Sequence, residues 1–300
     1  MAQRPLITAR DLEGVESPVI PRGAILTPLA RDLLRKRGIE PEVCGRPAAA
    51  SDPLVVGNWK SHKTLPEARA FAEELRAAAR PGGVALVICP PHTALATLAD
   101  ALRGVAEVGS QDISAHGEGA HTGEVAARHL VDAGCRFAIV GHSERRHAGE
   151  TDALVGRKLR RALAAGLRPI LCVGETAEER RAGRAESVVS RQLEVLGGLE
   201  PARLEQVLVA YEPRWAIGSG QTPTPDEVES MLAHASAALA RGADPAAAQR
   251  VPVLYGGSVK PSNAAELLGL PSCGGALVGG AALKVASFLG IARAAPGASG

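Results

Sequence analysis

The chain has 300 residues, a length that suits either two ordinary domains or one large α/β barrel. Its 34 Lys and Arg nearly balance its 32 Asp and Glu, which argues against nucleic acid or a membrane surface as the main partner. No apolar run reaches about 18 residues, and the first residues do not resemble a secretion signal. We therefore expect a cytoplasmic protein without a transmembrane helix. Five scattered cysteines without a CxxC pair predict neither a disulfide framework nor a zinc site.

Residues 1–53 are interpreted as an N-terminal extension with one short amphipathic helix. Thr27 is a candidate N-cap, Pro28 suits the first helical position, and Gly38 is a stop signal. A helix of about 10 residues is not stable alone in water, so its apolar face must dock on the rest of the chain or on a partner. We expect a docking partner, because the flanking Pro and Gly residues are typical of extended or flexible connections.

Residues 54–300 alternate between short apolar runs and longer stretches with helical spacing. Because the runs are continuously apolar, they predict strands covered on both faces, as in a parallel sheet flanked by helices. Eight such units favour an eight-stranded parallel β/α barrel. The competing doubly wound open sheet usually carries a G-x-G-x-x-G turn after its first strand, which is absent here. The predicted strands are residues 54–57, 84–89, 105–109, 137–141, 169–173, 207–211, 251–255 and 276–279.

Chemically active side chains follow several of these strands. Lys60 comes after the first strand, His142 after the fourth and Glu212 after the sixth, and all three should meet at the carboxyl face of a barrel. Gly-rich turns follow the seventh and eighth strands, where exposed backbone N–H groups suit a phosphate. A carboxylate base, with His and Lys to stabilise negative charge on oxygen, predicts proton abstraction next to a carbonyl on a small phosphorylated substrate.

Residues 54–293 closely resemble the triosephosphate isomerase family. The resemblance implies an eight-stranded (β/α)8 TIM barrel, and its motifs occur in the family's order along nearly the whole barrel. The matching motifs are Gly57-Asn58-Trp59-Lys60, Gly119-Ala120-His121-Thr122-Gly123-Glu124, Gly141-His142-Ser143-Glu144-Arg145-Arg146, Ala210-Tyr211-Glu212-Pro213, Trp215-Ala216-Ile217-Gly218, Tyr255-Gly256-Gly257-Ser258-Val259 and Val278-Gly279-Gly280.

This resemblance implies a role for each catalytic candidate. Glu212 would move a proton between two carbons, and His142 would polarise the carbonyl as a neutral imidazole. Lys60 would balance the negative charge of the substrate. Asn58 would donate a hydrogen bond to a substrate oxygen, and Glu144 would help to order Lys60 and the base.

The resemblance also implies a phosphate site and a closing lid. Backbone N–H groups of Gly218, Ser258, Gly279 and Gly280 would hold the phosphate. Residues 213–220 would form the lid, which excludes water from the reacting enediolate. Arg214 occupies a lid position that we associate with small apolar residues.

The implied activity is that of an intramolecular aldose–ketose isomerase of glycolysis and gluconeogenesis. It would interconvert dihydroxyacetone phosphate and glyceraldehyde 3-phosphate through an enediolate, without a cofactor or a metal. The loop around Thr122 would project into a partner subunit and form a homodimer. Two alternatives remain open: the same isomerisation on a four-carbon sugar phosphate such as erythrulose 1-phosphate, or a non-catalytic barrel associated with a bacterial compartment, whose enzymes carry segments faintly similar to residues 20–32.

Overall fold

The computed structural model describes residues 52–216 and 222–299 and, before them, residues 6–7, 19–21, 25–27, 29–30, 33, 36 and 42–44. The chain divides into two compact units, residues 1–50 and 51–300. Within the part that is described, no helix combines the length and the apolar character that crossing a membrane would require.

The larger unit contains eight strands that close into a barrel. Every strand pairs in parallel with its neighbours in chain order, and the last strand pairs with the first. This confirms the predicted closed barrel over an open sheet, because an open sheet would leave two strands with a free edge. The strands are β1 (Leu54–Asn58), β2 (Ala85–Cys89), β3 (Glu107–Ser110), β4 (Phe137–Val140), β5 (Arg168–Val173), β6 (Leu208–Tyr211), β7 (Val253–Tyr255) and β8 (Gly275–Val278).

Helices connect the strands and surround the barrel. They are α1 (Leu65–Ala77), α2 (Leu95–Ala101), α3 (Ala127–Asp132), α4 (Ser143–His147), α5 (Asp152–Ala164), α6 (Ala177–Arg181), α7 (Ala185–Leu193), α8 (Pro201–Leu204), α9 (Pro225–Gly242), α10 (Pro245–Ala248), α11 (Ala264–Leu268) and α12 (Val285–Arg293). Short 3₁₀ turns cover His92–Ala94, Glu194–Leu196 and Gly280–Leu283.

The long helix α9 begins at a local capping signal in the sequence. Thr224 is its N-cap, and Pro225 occupies the first helical position. The Oγ1 of Thr224 accepts the N–H of Glu227, whose carboxylate in turn accepts the N–H of Thr224. This reciprocal capping box fixes the point at which the chain re-enters regular structure after the sixth strand and its loop.

Two apolar layers build the core of the barrel unit. Side chains such as Val56, Ile139 and Leu254 fill the barrel interior, while the alternate strand positions pack against the helices. Cys89 and Cys172 are fully buried interior thiols, and burial raises the pKa of each. Strands that are covered on both sides explain the continuous apolar runs of the sequence.

The smaller unit contains short strands that the sequence pattern does not reveal. Leu6–Ile7 pairs in parallel with Ile25–Leu26, and Val19–Pro21 pairs in parallel with Glu42–Cys44. Strands of two or three residues are too short to carry a readable period of alternation. Of the predicted helix at 27–38, residues 29–30, 33 and 36 are helical, and Thr27 Oγ1 accepts the N–H of Ala30 at 3.3 Å. The other residues of that predicted helix lie outside the described residues.

Candidate active site

A cavity of about 300 Å³ opens at the carboxyl ends of the barrel strands. Side chains and turns from β1, β4, β6, β7 and β8 meet in it, as the parallel topology requires. Glu144 lines a neighbouring cavity of about 440 Å³, and Gly218 lies outside the described residues. The predicted site residues that line the cavity of about 300 Å³ are Asn58, Lys60, His142, Glu212, Ser258, Gly279 and Gly280.

Glu212 stands directly after β6 and is 2% exposed. Its Oε1 lies 3.0 Å from Nε2 of His142, and its Oε2 accepts the N–H of Ser143 at 2.8 Å. Burial raises the pKa of Glu212, but His142, the Ser143 N–H and Lys60 together lower it by more, so the net pKa lies below its ordinary value. The carboxylate is therefore ionised at neutral pH and available as a base.

Two glycines make room for Glu212. A Cβ on Gly174, at the end of β5, would lie 1.8 Å from the carbonyl oxygen of Glu212. A Cβ on Gly256, after β7, would lie 2.7 Å from Cγ of the same residue. Neither contact is possible for a larger residue without movement of the backbone or of the base. Gly174 cannot be recognised from the sequence, because a close approach between neighbouring strands leaves no local signal.

His142 occupies the N-cap position of α4. Its Nδ1 accepts the backbone N–H of Glu144 at 3.2 Å, so Nε2 is the nitrogen that can carry a proton toward Glu212. Burial lowers the pKa of His142, whereas the carboxylate of Glu212 raises it by more. Protonation of Nδ1 would place two N–H groups against each other, since an imidazolium has no lone pair left there. We therefore assign the neutral Nε2–H tautomer, which the N-terminal dipole of α4 also favours.

Lys60 is held in an unusual backbone conformation with φ of 51°. Its Nζ donates to Oε1 of Glu144 at 2.6 Å, and its N–H donates to Oδ1 of Asn58 at 3.0 Å. Gln111, which sequence reasoning missed, donates through Nε2 to the carbonyl oxygens of Lys60 and Cys89 at 2.7 and 2.9 Å. The ammonium group of Lys60 is thus fixed at the cavity by contacts at both ends of the residue.

Glu144 contacts Lys60 and lies near His142. It contacts Lys60 through Oε1, and its Oε2 lies 3.7 Å from Nδ1 of His142. Among the described residues, no contact joins its side chain to Glu212. Its backbone N–H, rather than its carboxylate, is the group that orders the imidazole.

A second buried carboxylate anchors the chain just after Glu212. Glu175 is fully buried, and its Oε1 accepts the indole N–H of Trp215 at 2.7 Å. The hydroxyl of Tyr211 donates to the same carboxylate at 3.2 Å, and the carbonyl oxygen of Glu175 accepts the N–H of Arg214 at 3.1 Å. These contacts fix the entry to the predicted lid, whose later residues 217–220 lie outside the described residues.

The loop around Thr122, which is predicted to project into a partner subunit, lies beside the cavity of about 440 Å³. Ser114 Oγ donates to the carboxylate of Glu124, and the rings of His116 and His121 stack with centroids 4.0 Å apart. Thr122, at the tip, is exposed. In the part of the chain that the structure describes, no group of three His, Cys, Asp or Glu side chains is arranged to hold a metal ion.

Comparison with known proteins identifies the family of the chain. The family model described as Triosephosphate isomerase matches residues 53–295. A triosephosphate isomerase of Symbiobacterium thermophilum is 51% identical over 247 residues, which is 81% of this chain and 96% of that protein. Triosephosphate isomerases of Thermus thermophilus and Ralstonia nicotianae are each 49% identical, over 81% and 82% of this chain and 98% and 100% of those proteins. The chain therefore belongs to the triosephosphate isomerase family.

Proposed function

We propose that the chain interconverts dihydroxyacetone phosphate and glyceraldehyde 3-phosphate through an enediolate. The observation that carries this proposal is the buried, ionised carboxylate of Glu212, 3.0 Å from His142 in a cavity that also holds Lys60. A base, a neutral hydrogen-bond donor and a cation around one small cavity are the groups that an enolisation needs.

The proton transfers follow from this arrangement. Glu212 removes a proton from C1 of dihydroxyacetone phosphate, and the C–H electron pair forms the C1–C2 double bond of the enediolate. Negative charge then develops on the oxygen at C2, where Nε2–H of His142 and the ammonium of Lys60 stabilise it. Glu212 returns the proton to C2, while His142 moves a proton between the two oxygens, and glyceraldehyde 3-phosphate results.

The phosphate of the substrate is proposed to lie over the turns that follow β7 and β8. Ser258 and the pair Gly279 and Gly280 line the cavity, and a Cβ on Gly280 would meet nothing within 4 Å, so the backbone is accessible. Backbone N–H groups there, together with that of Gly218, would hold the phosphate. Residues 213–220 would then close over the bound substrate and exclude water.

We also propose a cytoplasmic homodimer. The loop around Thr122 would enter the cavity of about 440 Å³ on a second copy, beside Lys60 and Glu144. A two-fold axis makes this contact reciprocal, so each copy both gives and receives a loop. Residues 1–53 are proposed to be a separate extension that docks on a partner, and residues 54–300 to be the catalytic barrel.

Steady-state kinetics with the Glu212→Gln variant test the proposed reaction. Loss of the base should lower kcat by about 100-fold to 10,000-fold, since this is the usual contribution of a positioned proton-transfer group. The same assay should compare kcat/KM for dihydroxyacetone phosphate and erythrulose 1-phosphate, and we expect the three-carbon substrate to be preferred. A variant with near-parental kcat would contradict the role of Glu212.

A further inference from the structure

Arg146, on α4, places its guanidinium against the ends of two neighbouring barrel strands. Its Nε donates to the carbonyl oxygen of Gly141 at 2.9 Å, and its Nη2 donates to the carbonyl oxygen of Cys172 at 3.2 Å. Its Nη1 donates to Oδ1 of Asp152 at 2.6 Å, and the side chain is only 6% exposed. None of the roles assigned above to the catalytic groups uses this arginine.

The two carbonyl groups lie where the pairing between β4 and β5 stops. The last paired residues of these strands are Val140 and Leu171, and Gly141 and Cys172 follow them in the chain. Both of the following residues are buried, and a buried carbonyl oxygen needs a hydrogen-bond donor. Arg146 supplies a donor to each of them, so it joins β4 to β5 at the edge where backbone pairing has ended.

This join lies between the strand ends that carry the imidazole and the base. On one side, Gly141 directly precedes His142 in the chain. On the other side, the N–H of Glu212 donates to the carbonyl oxygen of Val173 on β5 at 2.7 Å. A continuous path of short contacts thus runs from His142 through Arg146 and β5 to Glu212.

We infer that Arg146 is a positioning residue that sets the distance between His142 and Glu212. The inference rests on the proposed function, because this distance matters for catalysis only if the two groups act on one substrate. A guanidinium carries five N–H donors in a rigid planar fork, so it can hold two carbonyl groups and a carboxylate together. A lysine ammonium is a compact charge on a flexible stem and would hold them less precisely. Loss of the guanidinium should therefore displace His142 relative to the base without removing either group.

Steady-state kinetics of full-length Arg146→Met and Arg146→Lys provide the first test. The matched control is Arg69→Met, since Arg69 is exposed on α1 and has no side-chain partner within the described part of the chain. For Arg146→Met we expect kcat to fall by about tenfold to ~100-fold, the upper figure being the cost of a misplacement of about 1 Å. The fall should be smaller for Arg146→Lys and absent for Arg69→Met. KM should hardly change, because the turns after β7 and β8 are untouched.

Nitrogen-15 NMR of the histidines measures the geometry independently of turnover. The chain has eight histidines, so the signal of His142 in the labelled protein is assigned with the variant His142→Gln. A longer contact between Nε2–H of His142 and Glu212 weakens this hydrogen bond, so the proton signal of that N–H should move upfield in both Arg146 variants. Arg69→Met should leave it unchanged. A merely structural role of Arg146 would lower the fraction of folded protein without moving this signal.

Asp152→Asn keeps the guanidinium but removes the charge that anchors it. The hydrogen bonds of Arg146 to the two carbonyl groups can still form, so the fall in kcat and the shift of the His142 signal should both be smaller than in Arg146→Met. In the Arg146→Met background, Asp152→Asn should have no further effect, because the anchor acts through the guanidinium. Fully additive losses would overturn the inference, since they would mean that the two residues act separately.

The two measurements separate failure of this inference from failure of the proposed function. Folded Arg146 variants of an active enzyme that keep the wild-type His142 signal would overturn the inference alone, whatever their kcat. If Arg146→Met does not fold, Arg146→Lys must show both the lower kcat and the shifted signal. A wild-type protein that does not isomerise dihydroxyacetone phosphate would overturn the proposed function. The His142 signal would then still decide whether Arg146 sets the distance to Glu212.

Discussion

The charge state of Glu212 depends on a few neighbours. The backbone N–H of Ser143 bonds its carboxylate directly, and the positive charge of Lys60 acts from across the cavity. Lys60 also lowers the pKa of His142, in opposition to the larger rise that Glu212 causes. One lysine thus supports both the ionised base and the neutral hydrogen-bond donor.

Replacing Lys60 should change both the rate and its pH dependence. Lys60→Ala removes a charge that lowers the pKa of Glu212, so that pKa rises and the acid limb of kcat/KM moves to higher pH. The pKa of His142 also rises, so the inactive imidazolium form persists to higher pH. At the pH optimum we expect a loss of ~3–4 kcal/mol of transition-state stabilisation, as for oxyanion donors. A pH series of kcat/KM measures both effects.

Lys284→Ala is the control for this experiment. Lys284 is an exposed lysine at the start of α12, and its removal changes the net charge equally. Its profile should match the wild type. If Lys60→Ala raised only KM and left kcat unchanged, Lys60 would be a uniform binding group and not an electrostatic catalyst.

Among individual residues, the catalytic groups are easier to predict from the sequence than the groups that hold them in position. Lys60, His142 and Glu212 stand after apolar strands, where polar residue types are conspicuous. Gln111 and Glu175 act through contacts with residues that are distant in the chain, so nothing in their local sequence distinguishes them. Their roles become visible only when the barrel brings the strand ends together.

Strand β5 affects the base through the glycine at its end. The N–H of Gly174 donates to Oε1 of Gln192 at 2.7 Å, and its carbonyl oxygen accepts from Nε2 of Gln192 at 3.2 Å. Gln192 of α7 therefore fixes the backbone of Gly174 on one side, while the backbone of Glu212 fills the space on the other side. No space remains for a side chain.

Gly174→Ala should consequently impair both stability and catalysis. The added methyl group must displace the backbone of Glu212, and overpacking of this kind costs ~1–3 kcal/mol of unfolding free energy. A shift of about 1 Å in the base can lower kcat by ~100-fold. Urea unfolding and steady-state kinetics measure the two effects. Gly242→Ala is the control, since a Cβ there would meet nothing within 4 Å, and wild-type behaviour of Gly174→Ala would refute the packing argument.

Strands and helices, too, can be predicted from the sequence only where they leave a local signal. The eight barrel strands are predicted because both of their faces are buried, which produces continuous apolar runs. The start of α9 is marked locally, because Thr224, Pro225 and Glu227 lie close together in the sequence and form its cap. The paired strands Leu6–Ile7 and Ile25–Leu26 have neither signal, and their pairing joins residues far apart in sequence.

The proposed dimer makes a prediction for the whole molecule. Sedimentation at micromolar concentration should give the mass of two chains. Thr122→Arg places a charge at the exposed loop tip and should shift the protein toward a monomer with reduced activity. Ala237→Arg, on the exposed side of α9, adds the same charge elsewhere and should remain dimeric. A fully active wild-type monomer would contradict the proposal.

Removal of residues 1–52 should leave catalysis nearly intact. The barrel closes through pairing of β1 with β8, and β1 begins at Leu54, so the deleted residues contribute no barrel strand. We expect an unchanged kcat/KM for the truncated protein. A fluorescent reporter fused to residues 1–53 should have the same subcellular location in the native host as the full-length protein. A truncated chain that fails to fold would show instead that the extension supports its own barrel.

Both ends of the barrel unit are hydrogen-bonded to the chain at the start of β2, between Gly82 and Ala85. The carbonyl oxygen of Pro53 accepts the N–H of Ala85 at 2.9 Å, and Ser299 exchanges two backbone hydrogen bonds with Gly82 at 2.9 and 3.0 Å. The entry and exit of this unit are thus close neighbours in space although they are distant in the chain. A linker of a few residues could join the two ends, and new chain termini could be placed at an exposed turn such as that of Gly183. The barrel unit is therefore suited to circular permutation.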